Sequence, residues 1–558
     1  MADSPTVGSD RILTANLDAL ARRDPALADR IRRGGTNTRL AIVPSRSGAP
    51  TAVLRPARDA GSEVWLHSRY DPRREADRIV AGMAQGATCV CIGFGAGWVP
   101  RAYLNRVRYA SVVVFEPDVA ALRIALATDD AFAGVLATGR LRLCETRDEL
   151  ALGIAEVHQA AIADGIVSHE LSGRDRNEPD LFRAARGTVQ EASRRQAAEY
   201  ATIRRFGVAW FTHTVANSAL MDAHRQARAS GDLVARLEGP ATVVAAGPSL
   251  DTYLESGRHL PGPLVAVDTA VPALLARGIH PTVVVSLDPQ GWSVLHFRRR
   301  LPENVLLVAD PGVSPRVFAS ARTTLVVSSA HPLHRLMQHH GVTLPTVFAA
   351  PETVTEAAVD IAGVSGTPGT LLGADGAYPA GATYARGTYH HLLAQQRQRR
   401  LAPLDDFFAR QVYPRVPLVT DADSDRPVFA TSEMADARRR TEHRLAAPGV
   451  PLVVPPSGDR ETTVTKFWAV HRDRLRNAAT RVTGDAWSTP ELIAAIGSHG
   501  MAHLPVLAAL RHRVRRGLGR DLPESLRRAL DSGGAVAVRE TLMHIGTSVP
   551  RLLRPSNI

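Results

Sequence analysis

Residues 243–251 read Val-Val-Ala-Ala-Gly-Pro-Ser-Leu-Asp, in which an apolar run meets a tight turn and the start of a helix. Such a run is typical of a buried strand, and Gly247 permits close backbone approach in the turn. Since Pro248 has no N–H, only the amides of Gly247, Ser249 and Leu250 and the Ser249 hydroxyl can hold an anion at the helix N-terminus. The stretch predicts a phosphate-binding turn, and an ordinary helix start with Ser249 as N-cap fits it equally well.

Four later apolar runs each end at an aspartate. The runs are 264–267 before Asp268, 283–287 before Asp288, 306–309 before Asp310, and 371–374 before Asp375. In open α/β sheets, ligands bind outside the carboxyl ends of the strands, so we expect these carboxylates to converge on one site. Because a buried carboxylate needs a partner, metal binding, proton transfer and ribose contact are the candidate roles. Asp288 and Asp375 lie in tight turns and are the strongest candidates, whereas Asp268 and Asp310 fit helix caps equally well.

Composition and charge narrow the class of protein. The 558-residue chain has a net charge of +12, but its arginines are scattered and are not grouped with aromatic residues, which disfavours nucleic-acid binding. No apolar run approaches the ~18 residues of a membrane span, and the N-terminus lacks the apolar core of a signal peptide. Three cysteines are too few for a disulfide framework. We therefore expect a cytoplasmic protein with reduced thiols.

Alternating strand-like and helix-like segments predict an α/β fold with two Rossmann-like units and a helical C-terminal region. The expected organisation is a helical segment at 1–35, a first α/β domain at 36–235 that ends in a helical bridge from about 145, a second α/β domain at 236–400, and a mostly helical region at 401–558. The nucleotide-binding and catalytic site is expected in the second α/β domain.

The first α/β unit carries a glycine turn of its own. Gly93, Gly95 and Gly97 follow a strand-like run, and Glu116 follows the next one. The pattern is similar to the nucleotide turn of S-adenosylmethionine methyltransferases, in which the acidic residue holds the ribose hydroxyls. The spacing lacks the third position of a dinucleotide fingerprint. We interpret the four residues as a vestigial nucleotide turn and keep methyl transfer as an alternative.

Three blocks together resemble a known family. The blocks are 247–250, 278–290 and 353–375, and the segment 383–388 is similar to the polar stretch that closes the same core. The combination resembles the bacterial motility accessory factor (Maf) glycosyltransferases, and the same core occurs in 6-hydroxymethylpterin diphosphokinase MptE-like proteins. The glycine turn at 93–97 is similar to the Rossmann-like domain that precedes this core in Maf proteins. The resemblance covers about residues 60–400 and implies a second unit similar to a sialyltransferase core.

The Maf resemblance implies transfer of a nonulosonic, sialic-acid-like sugar from a CMP-sugar to Ser or Thr of flagellin or another surface protein. No cofactor or metal is then required, the 247–249 turn would hold the CMP phosphate, and a base would deprotonate the acceptor hydroxyl. The candidate catalytic residues are Asp288, Asp375 and His331, the last placed after the strand-like run 325–329. The candidate binding residues are Gly247, Pro248, Ser249, Asp268, Thr269, Gln290, Asp310, Thr353, Thr355 and Tyr384.

Two alternatives remain open. The MptE-like resemblance implies an ATP-dependent diphosphokinase, in which Asp288 and Asp375 would carry Mg²⁺ against the triphosphate. A nucleotide-binding scaffold without catalysis would recruit flagellar or surface proteins through its helical ends.

Overall fold

The computed structural model divides into two compact units, residues 1–207 with 474–545 and residues 208–473 with 546–558. The structure describes residues 7–35, 38–55, 62–84, 88–107, 110–159, 161–162, 165–223, 226–329, 331–346, 352–366, 369–379, 381–414, 416–420, 427–447, 462–484, 487 and 489–553.

The strands are β1 (Leu40–Pro44), β2 (Pro50–Leu54), β3 (Val64–Trp65), β4 (Thr88–Ile92), β5 (Ser111–Phe115), β6 (Leu141–Cys144), β7 (Ile166–Glu170), β8 (Thr242–Val244), β9 (Leu264–Val267), β10 (Val283–Ser286), β11 (Leu306–Ala309), β12 (Thr323–Val326), β13 (Thr370–Leu372), β14 (Leu418–Thr420) and β15 (Pro427–Phe429). The helices are α1 (Val7–Ala21), α2 (Pro25–Arg33), α3 (Pro72–Gly82), α4 (Trp98–Arg106), α5 (Val119–Leu126), α6 (Phe132–Ala137), α7 (Arg147–Val157), α8 (Arg174–Asn177), α9 (Pro179–Ala216), α10 (Ser218–Ala223), α11 (Gln226–Arg236), α12 (Ser249–Glu255), α13 (Val271–Leu275), α14 (Pro315–Phe318), α15 (Pro332–His339), α16 (Val354–Ala362), α17 (Tyr389–Arg397), α18 (Leu404–Val412), α19 (Ser432–Ala446), α20 (Val464–Arg481), α21 (Thr489–Met501), α22 (Leu504–Arg515), α23 (Glu524–Ser532) and α24 (Gly534–Leu552).

The first unit contains a four-stranded parallel sheet in the order β6-β5-β4-β7 and an antiparallel sheet of β1, β2 and β3. The central strands β4 and β5 are buried at every residue, as expected for a parallel sheet covered by helices on both faces. Strand β7 lies inside the segment for which the sequence predicts only helices, so that prediction is wrong at 166–170. This edge strand reads Ile-Val-Ser-His-Glu and is only partly buried, so it lacks the apolar run that marks the central strands.

The second unit contains a six-stranded parallel sheet in the order β12-β11-β10-β9-β8-β13. From β8 to β12 the chain adds each new strand on the same side of the last. It then returns and places β13 on the other side of β8. The strand order reverses at this point, and a crevice opens there outside the carboxyl ends of the strands. The turn after β8 and the end of β13 are therefore neighbours at the crevice.

The C-terminal region is mostly helical, with a short antiparallel hairpin formed by β14 and β15. The predicted fold class, two α/β units with a helical C-terminal region, is confirmed. Among the described helices, none is long and apolar enough to cross a membrane by itself. The bent pair α21 and α22 meets that requirement in length and composition only when its two helices are counted together.

Candidate active site

A cavity of about 360 Å³ opens at the carboxyl ends of β8, β9 and β13. We call it the sheet-end cavity. Gly247, Gly373 and Gly376 line it near the strand ends. The start of α16 and the side of α19 form the rest of its lining. Its polar lining comes from Thr269, Thr353, Thr355, Asp375, Tyr378, Thr383, Tyr384, Arg438 and Thr441. Several residues that the sequence places in one site therefore share this cavity.

The amides of the 247–250 turn are already bonded within the protein. The Gly247 N–H donates to the Gly373 carbonyl at 2.7 Å, and the Leu250 N–H donates to the Gly247 carbonyl at 3.1 Å. The Ser249 N–H donates to Asp375 Oδ2 at 2.9 Å, and the Ser249 hydroxyl donates to Asp375 Oδ1. The Asp375 carboxylate thus occupies the helix start at which the sequence predicts a phosphate.

The alternative interpretation of Ser249 as an N-cap is also wrong. Pro248 occupies the N-cap position of α12 and provides no side-chain cap, while Asp375 caps the helix from the neighbouring strand end. A Cβ atom at Gly247 would lie 2.6 Å from the Gly373 carbonyl oxygen and 2.7 Å from Asp375 Oδ2. Glycine is therefore required at 247 because the end of β13 approaches so closely.

A second cavity, of about 1200 Å³, lies along β13 and also reaches this turn. We call it the edge groove. Asp375 lines both the sheet-end cavity and the edge groove, whereas neither Asp288 nor His331 lines either of them. Of the three predicted catalytic side chains, Asp375 is therefore the one that faces both spaces.

The start of α16 faces the sheet-end cavity through Thr353, Val354 and Thr355. Thr353 is the N-cap, and its hydroxyl oxygen accepts the Glu356 N–H at 3.1 Å. The first N–H groups of a helix give this end a partial positive charge. Arg438 of α19 lines the same cavity, and its Nε donates to Glu442 at 2.8 Å. A helix start and a guanidinium together suit an anionic group.

Asp268 and Asp288 follow neighbouring strands and are held by the protein's own donors. Asp268 is buried and accepts the Thr269 N–H at 2.7 Å and the Ser286 hydroxyl at 2.8 Å. Asp288 accepts the N–H and the side-chain amide of Gln290, both at 2.9 Å. Burial raises the pKa of both carboxyls, and the charge of Asp268 raises that of Asp288 further. The described residues include no group of three His, Cys, Asp or Glu side chains placed to hold a metal ion.

Two histidines that the sequence does not predict as site residues lie close to the sheet-end cavity, next to Tyr384. Tyr384 lines the cavity, and its ring stacks on that of His390 with the ring centroids 4.2 Å apart. The ring centroids of His390 and His296 are 6.1 Å apart. Burial lowers the pKa of both histidines to about 4 and raises the pKa of Tyr384 to about 12. No sequence pattern links His296 to His390, because only the tertiary fold brings them together.

His331 lies beside Asp310 and His334 in a separate buried cluster. The Nδ1 atom of His331 accepts the Leu333 N–H at 3.2 Å, so the neutral ring carries its proton on Nε2. Burial lowers the pKa of His331 and His334 to about 3 and raises that of Asp310 to about 6. In this tautomer Nε2 of His331 is a donor, which does not suit the predicted role of a base.

The buried histidines make the second unit sensitive to acid. Because the folded pKa of His334 lies below its ordinary value, the unfolded chain takes up a proton first as the pH falls below 6.5. The stability that this group contributes is fully present above pH 6.5 and is lost progressively as the pH falls toward about 3. Asp310, with its raised pKa, offsets part of that loss between pH 6 and 4.

We expect His334→Asn to give a shallower decline in the free energy of unfolding, measured with urea, as the pH falls over this range. His339→Asn, at an exposed position on the same helix, should leave the slope unchanged. Equal slopes for His334→Asn and wild type would contradict the assignment.

In the first unit, the glycine turn is filled by the protein's own side chains. The Phe94 N–H donates to Glu116 at 3.2 Å, and the Ala96 N–H donates to Nε2 of His67 at 3.0 Å. Glu116 is fully buried and forms an ion pair with Arg174. Cβ atoms at Gly95 and Gly97 would collide with His67 and Phe132. Side chains of the protein thus take up the donors and the space of this turn.

Comparison with known proteins gives a family match in the second unit. Residues 218–381 match the family described as 6-hydroxymethylpterin diphosphokinase MptE-like. Three uncharacterized proteins of Treponema pallidum (strain Nichols) are 27%, 28% and 31% identical over 226, 224 and 153 residues. These segments make up 37%, 37% and 27% of this chain and 56%, 72% and 32% of the relatives. The chain thus spans about half the length of the first of them.

A solved structure, the Maf glycosyltransferase from Magnetospirillum magneticum AMB-1, matches with a TM-score of 0.53 over 98% of both chains, at 13% sequence identity. At an identity this low, the structural match establishes a common fold only, and the activity has to be argued from the site. The resemblance predicted from sequence is confirmed: the chain is similar to MptE-like proteins over residues 218–381 and shares its fold with a Maf glycosyltransferase.

Proposed function

We propose that the protein is a glycosyltransferase that moves a nonulosonic acid from a CMP-sugar to the hydroxyl of Ser or Thr in an acceptor protein, in the cytoplasm. The observation that carries the proposal is the position of Asp375, which lines both the sheet-end cavity and the edge groove. A carboxylate at this position can take the proton of an acceptor hydroxyl that lies next to the donor. The fold shared with a Maf glycosyltransferase supports the reaction class. We take flagellin or another surface protein as the acceptor class, as the resemblance of the sequence to Maf proteins implies.

The donor belongs in the sheet-end cavity. Its volume of about 360 Å³ suits a small-molecule site, for which roughly 300–1,000 Å³ is usual. We assign the phosphate to the start of α16 and Arg438, because Asp375 already caps α12. Thr355 and Tyr384 then contact the sugar and the nucleobase of the donor. This assignment differs from the sequence prediction, which places the phosphate at the 247–249 turn.

The transfer step uses one carboxylate as a base. The acceptor O–H gives its proton to Asp375 while its oxygen forms a bond to the anomeric carbon of the sugar. The bond between that carbon and the phosphate oxygen breaks, and CMP leaves with the electron pair. The start of α16 and Arg438 stabilise the negative charge that grows on the departing phosphate. Each atom and charge in the step is thus accounted for by a residue at the cavity.

The family match at 218–381 favours a second candidate, an ATP-dependent pterin diphosphokinase. That reaction would require Asp288 and Asp375 to hold Mg²⁺. The two side chains are not placed for this shared role, because Asp375 lines both the sheet-end cavity and the edge groove and Asp288 lines neither. We therefore derive no step through a metal ion.

Calorimetry with CMP and with ATP, each with and without Mg²⁺, separates the candidates. We expect CMP to bind without added metal and Arg438→Gln to weaken that binding by about 10- to 150-fold, since a charged hydrogen bond to phosphate contributes about 1.5–3 kcal/mol. Arg322→Gln, on an exposed ion pair of the same unit, is the matched control. Magnesium-dependent binding of ATP without binding of CMP would favour the diphosphokinase. Binding of CMP without any transfer of the sugar would favour the scaffold.

A further inference from the structure

The edge groove follows the unpaired side of the six-stranded sheet. Among the described strands, β13 pairs with β8 alone. The Thr370 N–H donates to the Ala241 carbonyl at 3.0 Å, and the Leu372 carbonyl accepts the Ala245 N–H at 2.8 Å. Because successive residues of a strand turn their backbone groups to opposite sides, the N–H and C=O of Leu371 point away from β8 and into the groove. The groove therefore presents backbone groups that a further strand could pair with.

The walls of the groove combine apolar and hydroxyl-bearing side chains. Thr252 and Ser256 come from α12, Val428 from β15, and Leu445 from α19. The volume of about 1200 Å³ is more than three times that of the sheet-end cavity. A groove of this volume, with apolar and hydroxyl-bearing walls, suits a stretch of polypeptide better than a compact metabolite.

The groove and the sheet-end cavity share one boundary. Gly373, Ala374, Asp375 and Arg438 line both spaces. A side chain that projects from the groove across this boundary arrives at the Asp375 carboxylate. The boundary is thus the point at which an acceptor group can meet the donor.

We propose that the edge groove binds the acceptor as an extended polypeptide, which adds a strand to β13 and presents a Ser or Thr hydroxyl to Asp375. The inference rests on the transfer reaction proposed above and assigns its acceptor subsite. Backbone hydrogen bonds to Leu371 give affinity that depends little on sequence, and the groove walls select the side chains. Since β13 has only three residues, the added pairing is short and the modified chain can leave.

Leu371→Pro tests the subsite directly. It removes the outward N–H, which β8 does not use, and proline is tolerated on edge strands at such positions. The probe is the peptide fluorescein-(Val-Thr)4-amide, labelled at its N-terminus, and binding is measured by fluorescence anisotropy. We expect Leu371→Pro to weaken binding by about tenfold or more, because a strand-pairing hydrogen bond is lost and its partner is left unpaired. Leu371→Ala keeps the N–H and should bind within about threefold of wild type.

CMP binding by calorimetry is measured on the same samples. It reports on the sheet-end cavity, so a folded Leu371→Pro protein binds CMP as wild type does. If CMP fails to bind wild type while the peptide binds and responds to Leu371→Pro, the proposed donor is wrong but the peptide site stands. Equal peptide binding by wild type and Leu371→Pro, or none by wild type, would overturn the subsite. A wild-type dimer that Leu371→Pro converts to a monomer, with no peptide bound, would assign the edge to a second copy and also overturn it.

Discussion

Replacing Asp375 by asparagine is expected to lower the rate of sugar transfer by about 10²–10⁴-fold, the usual contribution of a positioned general base. The amide cannot take the acceptor proton at neutral pH. Its oxygen can still accept one of the two hydrogen bonds from Ser249, so the turn should stay in place. The measurement is release of CMP from CMP-pseudaminic or CMP-legionaminic acid in the presence of a Ser/Thr peptide.

A structural role for Asp375 would give a different pattern. If the carboxylate only caps α12, Asp375→Asn should weaken CMP binding and lower the melting temperature, with little change in kcat. If Asp375 acts as a base, Asp375→Asn should reduce kcat and leave the affinity for CMP within about threefold of wild type, because the lost interaction is with the acceptor. Glu303→Gln, an exposed carboxylate in the same unit, is the matched control and should keep full activity. Asp375→Asn with more than a third of wild-type kcat would rule out the assignment.

Replacing Glu116 by alanine is expected to destabilise the first unit by about 3–5 kcal/mol, the usual cost of breaking a buried ion pair from one side. Glu116 is fully buried, and Arg174 is 5% exposed. Without the carboxylate, the Arg174 guanidinium loses its buried partner and keeps the ion pair with the partly exposed Glu178, at 2.8 Å, and the Phe94 N–H loses its acceptor. Urea unfolding followed by far-UV circular dichroism measures the loss.

Two variants test the reason for that loss. Glu170→Ala breaks an ion pair with Arg186 in which Arg186 is about half exposed, so it should cost no more than about 1 kcal/mol. The double variant Glu116→Leu with Arg174→Met removes both charges and should recover much of the stability lost in Glu116→Ala. If Glu116→Ala is as stable as Glu170→Ala, the buried pair does not hold the glycine turn in place. Binding of S-adenosylmethionine by wild type would instead show that the turn still accepts a ligand.

The sequence groups several residues of the candidate site but does not predict the contacts between them. It predicts that the 247–249 turn and Asp375 lie together, and the structure brings them into hydrogen-bonding contact. It predicts that the turn holds phosphate, whereas its donors are taken by Asp375. A Gly-Pro-Ser turn has the same local pattern whether its acceptor is a ligand or a side chain from a distant strand. Only the return of the chain to place β13 beside β8 distinguishes the two.

By itself, the sequence determined the two α/β units, the helical C-terminal region and the strand ends that carry the aspartates. Apolar runs and turn residues act over short distances along the chain, so these features can be recognised locally. Tertiary structure alone decided which aspartate faces the cavities, that His390 lies against Tyr384, and that Glu116 is buried against Arg174. Those contacts join residues far apart in the chain. Their energies depend on burial and on the partner that packing supplies, and neither is encoded in local pattern.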